Sequence, residues 1–243
     1  MKPPSGGAHG PVKRLQLAWH RRLSPYWFLS FPKSGRTWVK SVIERYLSDD
    51  LGVPPFDFES FTPWRRSGPA RGVPRMVFVH PHCGAPDPGA TARFRNRLGG
   101  KRVIVLLRDP RDVVYTYYFR LRLKQQNPRA LSLGFSEFLR DPEFGVERIV
   151  DFMNTWCHAD AGFTDFMLMR FEDLDADPIP GFGRLLEFLG VEEDDAILAR
   201  AVAATTDKTT VTVEDRTVPY PDEDRSYATS VLQNIDPATG YRE

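Results

Sequence analysis

The stretch Tyr26-Trp27-Phe28-Leu29-Ser30-Phe31-Pro32-Lys33-Ser34-Gly35-Arg36-Thr37-Trp38 changes its period at the glycine. Ahead of Gly35 lies a short apolar run. Behind it Val39, Val42, Ile43, Tyr46 and Leu47 recur at the spacing of one helix face. The stretch therefore reads as strand, turn and helix. Such a turn leaves unpaired backbone N–H groups at the positive end of the helix dipole, where an anion fits. Lys33 adds a mobile positive charge, and the Ser34 and Thr37 hydroxyls add donors. Taken alone, the same residues describe a tight turn bearing a surface lysine equally well. They lack the G-x-x-x-x-G-K-[ST] spacing, which disfavours a Walker-type NTPase.

Working outward, Met76 to Val79 form a second apolar run that ends at His80-Pro81-His82-Cys83-Gly84. Val103-Ile104-Val105-Leu106-Leu107 is apolar at every position, the pattern of a strand covered on both faces. It stops at Arg108-Asp109-Pro110, and a helix is predicted from about Arg111. A further strand is predicted over Phe166 to Phe171, before Glu172-Asp173-Leu174, with helices near Pro180 to Leu189 and Asp194 to Ala204. Strands alternating with helices imply a single α/β domain with a central parallel sheet flanked by helices, carrying a P-loop-like phosphate-binding turn. We assign residues 1–23 to a lead-in, 24–218 to this domain and 219–243 to a polar C-terminal tail or lid. Residues 50–75, rich in Pro, Phe, Arg and Gly, read as an irregular connection.

The 243 residues are 41% hydrophobic and 27% charged, ordinary for a protein with a real core. A net charge of +1 supplies no global field toward nucleic acid or an anionic membrane, so any anion site must be local. The longest apolar runs are too short to span a bilayer, and Met1 to Gly10 lack a secretory h-region. Two distant cysteines, Cys83 and Cys157, make neither a disulfide scaffold nor a zinc pattern, and a reduced, cytoplasmic setting is expected.

Ligands of open α/β sheets bind beyond the carboxyl ends of the strands. Arg108 emerges there from a buried strand, and its guanidinium suits a phosphate dianion. Thr116, two turns into the next helix, offers a hydroxyl to the same group. The alternative makes Arg108 and Asp112 a structural ion pair near a helix start.

These residues together resemble a known family. Phe31-Pro32-Lys33-Ser34-Gly35-Arg36-Thr37-Trp38 resembles the YPKSGTTW signature of sulfotransferases that use 3′-phosphoadenosine 5′-phosphosulfate (PAPS). The run from Arg108 to Tyr118 resembles that family's RNPKDVxVSYY segment, and Phe171-Glu172-Asp173-Leu174 its YEDL segment. The three occur in the family's order, over roughly residues 26–190. The resemblance implies a PAPS co-substrate with 3′,5′-ADP as product, no metal, and a small-molecule acceptor bearing a hydroxyl or amine. It implies that Lys33 meets the bridging and sulfuryl oxygens, and that Ser34, Gly35, Arg36 and Thr37 hold the 5′-phosphate. Trp38 would stack on adenine, and Arg108 with Thr116 would hold the 3′-phosphate. Arg36 departs from the family's threonine, and Phe171 from its tyrosine. No copy of the C-terminal RKGxxGxWK loop is present; Arg216, Arg225 and Arg242 are the available substitutes. A homodimer is possible, since Lys208 with Thr212-Val213 faintly resembles a dimerisation motif of the family.

Transfer of a sulfuryl group needs positioning, charge stabilisation and a base for the acceptor's proton. His80, after the second strand, is the candidate base and resembles the family's catalytic histidine. His82 is the alternative, and a carboxylate within residues 50–75 stays open. Two other readings compete: a nucleotide-dependent kinase of related fold, and a non-catalytic 3′,5′-ADP-binding protein.

Overall fold

The computed structural model describes residues 21–58, 72–81, 87–125, 127–160, 162–206 and 220–241. Strands β1 (Tyr26–Ser30), β2 (Met76–Val79), β3 (Arg102–Leu107) and β4 (Asp165–Arg170) form one parallel sheet in the order β2-β1-β3-β4. The α/β class expected from the alternating pattern is the class observed. Because side chains alternate along a strand, the sheet sorts its residues into two cores. Leu29, Val103, Val105 and Leu107 face one side with Phe31, while Phe28, Ile104 and Leu106 face the other. Every residue from Val103 to Leu107 is buried, which is why β3 reads as unbroken apolar sequence.

Helix α1 (Arg36–Asp50) covers the Phe28 side, with α8 (Pro178–Phe188) and α9 (Asp195–Thr206). Tyr46 fastens α1 to the α9 entrance, donating to the Glu192 carbonyl at 2.8 Å and accepting from the Asp194 amide at 2.9 Å. Helix α2 (Pro88–Arg97) meets the Leu29 side through Phe94. That side is covered by α3 (Pro110–Lys124) and α6 (Val146–Trp156), with α5 (Phe135–Leu139) beside the short α4 (Pro128–Ser132). Helix α7 (Phe171–Ala176) follows β4 directly.

Two boundaries depart from the sequence reading for identifiable reasons. Phe171 was predicted as the last residue of a strand, but it opens α7. Leu107, the end of β3, pairs with Arg170, so no partner remains to extend β4. The segment expected to be a tail or lid folds back as α10 (Asp222–Leu232) and a 3₁₀ turn at Pro237–Thr239. Ala228, Val231, Leu232, Ile235 and Tyr241 enter the Leu29-side core. Acidic and polar neighbours dilute these apolar positions in the sequence, so the packed face was missed.

Candidate active site

All four strands run the same way, so their carboxyl ends share one edge of the sheet. The chain leaves β1 toward α1 on one face and leaves β3 toward α3 on the other. Adjacent strands whose exits diverge in this way open a crevice between them, the usual ligand site of an open α/β sheet. The lysine turn and the arginine turn border this crevice. The Arg108 Nη1 donates to the Lys33 carbonyl at 3.4 Å, so the two predicted clusters meet.

Lys33 (φ 73°) and Gly35 (φ 94°) both adopt the left-handed conformation. Gly35 is required twice over: its φ disfavours a side chain, and a Cβ there would stand 2.4 Å from the Phe171 ring. Gly35 caps α1 with no side-chain hydrogen bond and no acid in the first turn. Among the described residues, the positive end of α1 thus has no capping side chain and no acid of its own first turn. The Ser34 amide is tied to the Phe31 carbonyl at 3.3 Å, and the Ser34 side chain is buried. Thr37 is exposed and Arg36 half-buried.

Burial pushes the Lys33 ammonium below its ordinary pKa, and the positive fields of Arg120 and then Arg108 push the same way. No carboxylate forms an ion pair with Lys33 among the described residues. Arg108 lies 4.3 Å over the Phe171 ring, and its Nη2 reaches Asp112 at 3.3 Å. The ion pair considered from the sequence therefore exists, at a long distance. The Arg108 Nε is buried and has no hydrogen-bond partner among the described residues. Beneath it the Asp109 amide donates to Glu172 at 2.8 Å, and the Tyr241 hydroxyl donates to the other oxygen of the same carboxylate. The C-terminal segment thereby props the arginine turn. Thr116 donates its hydroxyl to the Asp112 carbonyl at 2.7 Å, so contact with a phosphate through that proton requires the hydroxyl to rotate.

His80 follows β2 and is half-buried. Its Nδ1 lies 2.7 Å from the Ser30 carbonyl and 3.3 Å from the Ser30 hydroxyl. A carbonyl only accepts, so Nδ1 carries the proton and Nε2 keeps the basic lone pair. Burial, then the field of Arg36, lower its pKa to about 4 against the opposing pull of the Ser30 carbonyl. His80 is therefore neutral at physiological pH, the form a base requires.

Trp38, expected to stack on adenine, lies at the start of α1. It is 5% exposed and packs edge-to-face against Phe171 and Phe182 at 5.8 and 5.5 Å, in the core below the turn. The indole opens α1's apolar stripe. His82, Arg216, Arg242, Lys208, Thr212 and Val213 lie outside the described residues. Arg225 donates to the Tyr220 carbonyl at 3.0 Å and lies over that ring. Arg120 was missed by the sequence reading, although its four-residue spacing from Thr116 places both on one face of α3. Cys157, His158 and Asp236 are the one group among the described residues whose ligand atoms could gather a metal ion. They sit at the end of α6 and touch none of Lys33, His80 and Arg108.

The fold and the crevice define an α/β protein whose lysine and arginine turns meet at the β1–β3 switch. Residues 97–214 match the family model described as "Sulfotransferase domain". The chain is 27% identical over 189 residues to Sulfotransferase 2B1 of Rattus norvegicus, covering 72% of this chain and 52% of that protein. It is 26% identical over 195 residues to Sulfotransferase 4A1 of Mus musculus, covering 73% of this chain and 63% of that one. The chain thus spans between half and two thirds of the length of these relatives. The crystal structure of a sulfotransferase from Alicyclobacillus acidocaldarius superposes with a TM-score of 0.53 at 16% identity, over 90% of this chain and 96% of that one. Mouse sulfotransferase SULT7A1 complexed with PAP superposes with a TM-score of 0.57 at 15% identity, over 99% of this chain and 96% of that one. The chain is thus similar to sulfotransferases in sequence and shares the fold of these sulfotransferase structures.

Proposed function

We propose that this protein transfers a sulfuryl group from PAPS to a hydroxyl or amine of a small-molecule acceptor, releasing 3′,5′-ADP. The observation that supports it most is the meeting of the lysine turn and the arginine turn at the β1–β3 crevice, where Arg108 donates to the Lys33 carbonyl. A nucleotide with phosphate at both ends of its ribose needs two anion sites within one ligand's reach. The chemistry of the donors fits: an uncapped helix N-terminus and Lys33 on one side, Arg108 with an unpartnered Nε on the other.

PAPS, when bound, supplies the sulfuryl group and a phosphate leaving group. Backbone N–H groups of residues 35–37 and the Thr37 hydroxyl hold the 5′-phosphate end. The Lys33 ammonium neutralises charge that grows on the departing phosphate, the kind of preorganised stabilisation that dominates such displacements. Arg108 and a rotated Thr116 hydroxyl hold the 3′-phosphate. Neutral His80 takes the acceptor's proton on Nε2 while Ser30 fixes its tautomer through Nδ1. These steps require no metal.

No helix among the described residues is long and apolar enough to cross a membrane. We place the protein in the cytoplasm, consistent with the unpaired thiol of Cys157. Isothermal titration without magnesium tests the reading. It requires tight binding of 3′,5′-ADP and little binding of ATP; the reverse preference would replace it with a kinase. Turnover with radiolabelled PAPS over phenols, aliphatic alcohols, amines and sugars then separates an enzyme from a non-catalytic binder.

A further inference from the structure

The tethers of Arg108 at the crevice are long. Its guanidinium reaches the Lys33 carbonyl at 3.4 Å and the half-buried Asp112 at 3.3 Å, where a close charged pair would stand nearer. Two consecutive residues of α7 hold it from behind. Phe171 lies under the guanidinium at 4.3 Å, and Glu172 accepts from the Asp109 amide at 2.8 Å. That amide shares one planar peptide unit with the Arg108 carbonyl, so the bond fixes the backbone from which the Arg108 side chain projects.

Glu172 is held in turn by the C-terminal segment, because its other carboxylate oxygen accepts from the Tyr241 hydroxyl. Tyr241 is buried in the Leu29-side core, and the Arg170 guanidinium lies 4.4 Å over its ring. The turn that presents it is itself bonded: Asp236 accepts from the Ala238 amide at 2.9 Å, and the Thr239 hydroxyl from the Tyr241 amide at 3.2 Å. Burial, then the charge of Glu172, push the Tyr241 hydroxyl above its ordinary pKa, so it stays a donor at physiological pH. Satisfying a half-buried carboxylate is reason enough for such a bond in many proteins. Here the same carboxylate also holds the peptide that begins the arginine turn, which ties a core tyrosine to the aim of one guanidinium.

We propose that Tyr241 is a positioning residue for the 3′-phosphate: through Glu172 it fixes the Arg108–Asp109 peptide, and so sets nucleotide affinity without touching the nucleotide. The inference rests on the sulfotransferase reading and makes the C-terminal segment the part of the chain that tunes that site. A guanidinium aimed in advance loses less freedom when a phosphate arrives than one ordered only on binding.

Tyr241→Phe tests it, because the variant keeps the ring and deletes the hydroxyl alone. Titration should show 3′,5′-ADP bound about three- to tenfold more weakly, the worth of one net hydrogen bond. Binding of 5′-AMP, which has no 3′-phosphate, should scarcely change. Glu172→Ala removes the acceptor from both donors and should show the same split, at least as large. Tyr241 acts through Arg108, so the two losses should not add: Arg108→Ala combined with Tyr241→Phe should bind 3′,5′-ADP within about twofold of Arg108→Ala alone. A tyrosine that only stabilised the fold would weaken both nucleotides alike, or would add its loss to that of Arg108→Ala. Either result overturns the inference, as does unchanged 3′,5′-ADP affinity in Tyr241→Phe. Failure of the wild type to bind 3′,5′-ADP would instead overturn the sulfotransferase reading beneath it.

Discussion

Two helices begin at the crevice, and they begin in opposite ways. At α1, left-handed Lys33 and Gly35 lead into a first turn with no side-chain cap and no acid. At α3, Asp109 caps the Arg111 amide at 2.8 Å, Pro110 occupies the first turn, Asp112 adds an acid, and Glu172 accepts from the Asp109 amide. Among the described residues, one N-terminus has no cap or first-turn acid of its own. The other is satisfied internally, and what it contributes is the side chain just ahead of it, Arg108. The difference teaches that a helix start at a strand end is an anion site only where the protein leaves its dipole unanswered.

If that division is right, removing charge at the open turn should damage chemistry, while removing charge at the closed turn should damage binding. The largest effect belongs to Lys33→Ala. Loss of one preorganised charge-stabilising donor costs roughly 10²–10³ in kcat. Affinity for 3′,5′-ADP, which lacks the sulfuryl group, should fall much less. Single-turnover rates and titration on the same preparation check the split; a near-normal rate would remove Lys33 from the mechanism.

Next in size is Arg108→Ala. A hydrogen bond to a charged group is worth about 1.5–3 kcal/mol, so 3′,5′-ADP should bind roughly 10- to 100-fold more weakly. Binding of 5′-AMP, without the 3′-phosphate, should scarcely change. Equal losses for the two nucleotides would make Arg108 a structural residue, held by Asp112 and Phe171 for the sake of the fold.

The contrast between the turns also shows what a sequence discloses. β3 and the Gly35 turn were legible because burial on both sheet faces and a positive φ each demand particular residue types. The meeting of Lys33 with Arg108 was legible only as an expectation from strand ends, and the parallel register supplied the reason. The burial of Trp38 was not legible, because an apolar residue at a turn-to-helix junction suits ligand and core alike. The prop beneath Arg108, from Tyr241 to Glu172 to the Asp109 amide, joins residues far apart in sequence, and no local pattern announces it. Arg120 was visible as spacing but carries no local sign that separates it from a solvated arginine.

A smaller effect concerns pH. Burial and Arg36 disfavour the imidazolium of His80, whose pKa stands near 4 in place of the ordinary 6.5. The sign follows directly: neutral imidazole, the competent base, persists as pH falls through 6.5 and is lost only toward 4. The free enzyme's kcat/KM should therefore stay flat from pH 8 to about 5 on the acid side, then decline. The same depressed pKa makes its contribution to folding complete above 6.5 and lost as pH drops through 4. An NMR titration of the His80 ring with its midpoint near 6.5, or a rate that falls by half at that pH, would break the assignment.

The smallest effect sharpens the comparison from the closed side. Asp109 both caps α3 and grips Arg111, with its Oδ2 at 2.6 Å from Nη2. Truncation in Asp109→Ala removes both and should cost about 1 kcal/mol, with 2 as the upper range for a lost cap. Asp109→Asn keeps an oxygen for the Arg111 amide and loses only the charge, so its cost should be the lesser of the two. Denaturant midpoints at constant m-value measure both. Neither variant should lower kcat appreciably, because the α3 turn answers its own dipole and leaves the chemistry to the open turn. A catalytic loss in Asp109→Asn without a loss of stability would mean that the closed turn, too, acts on the reacting groups.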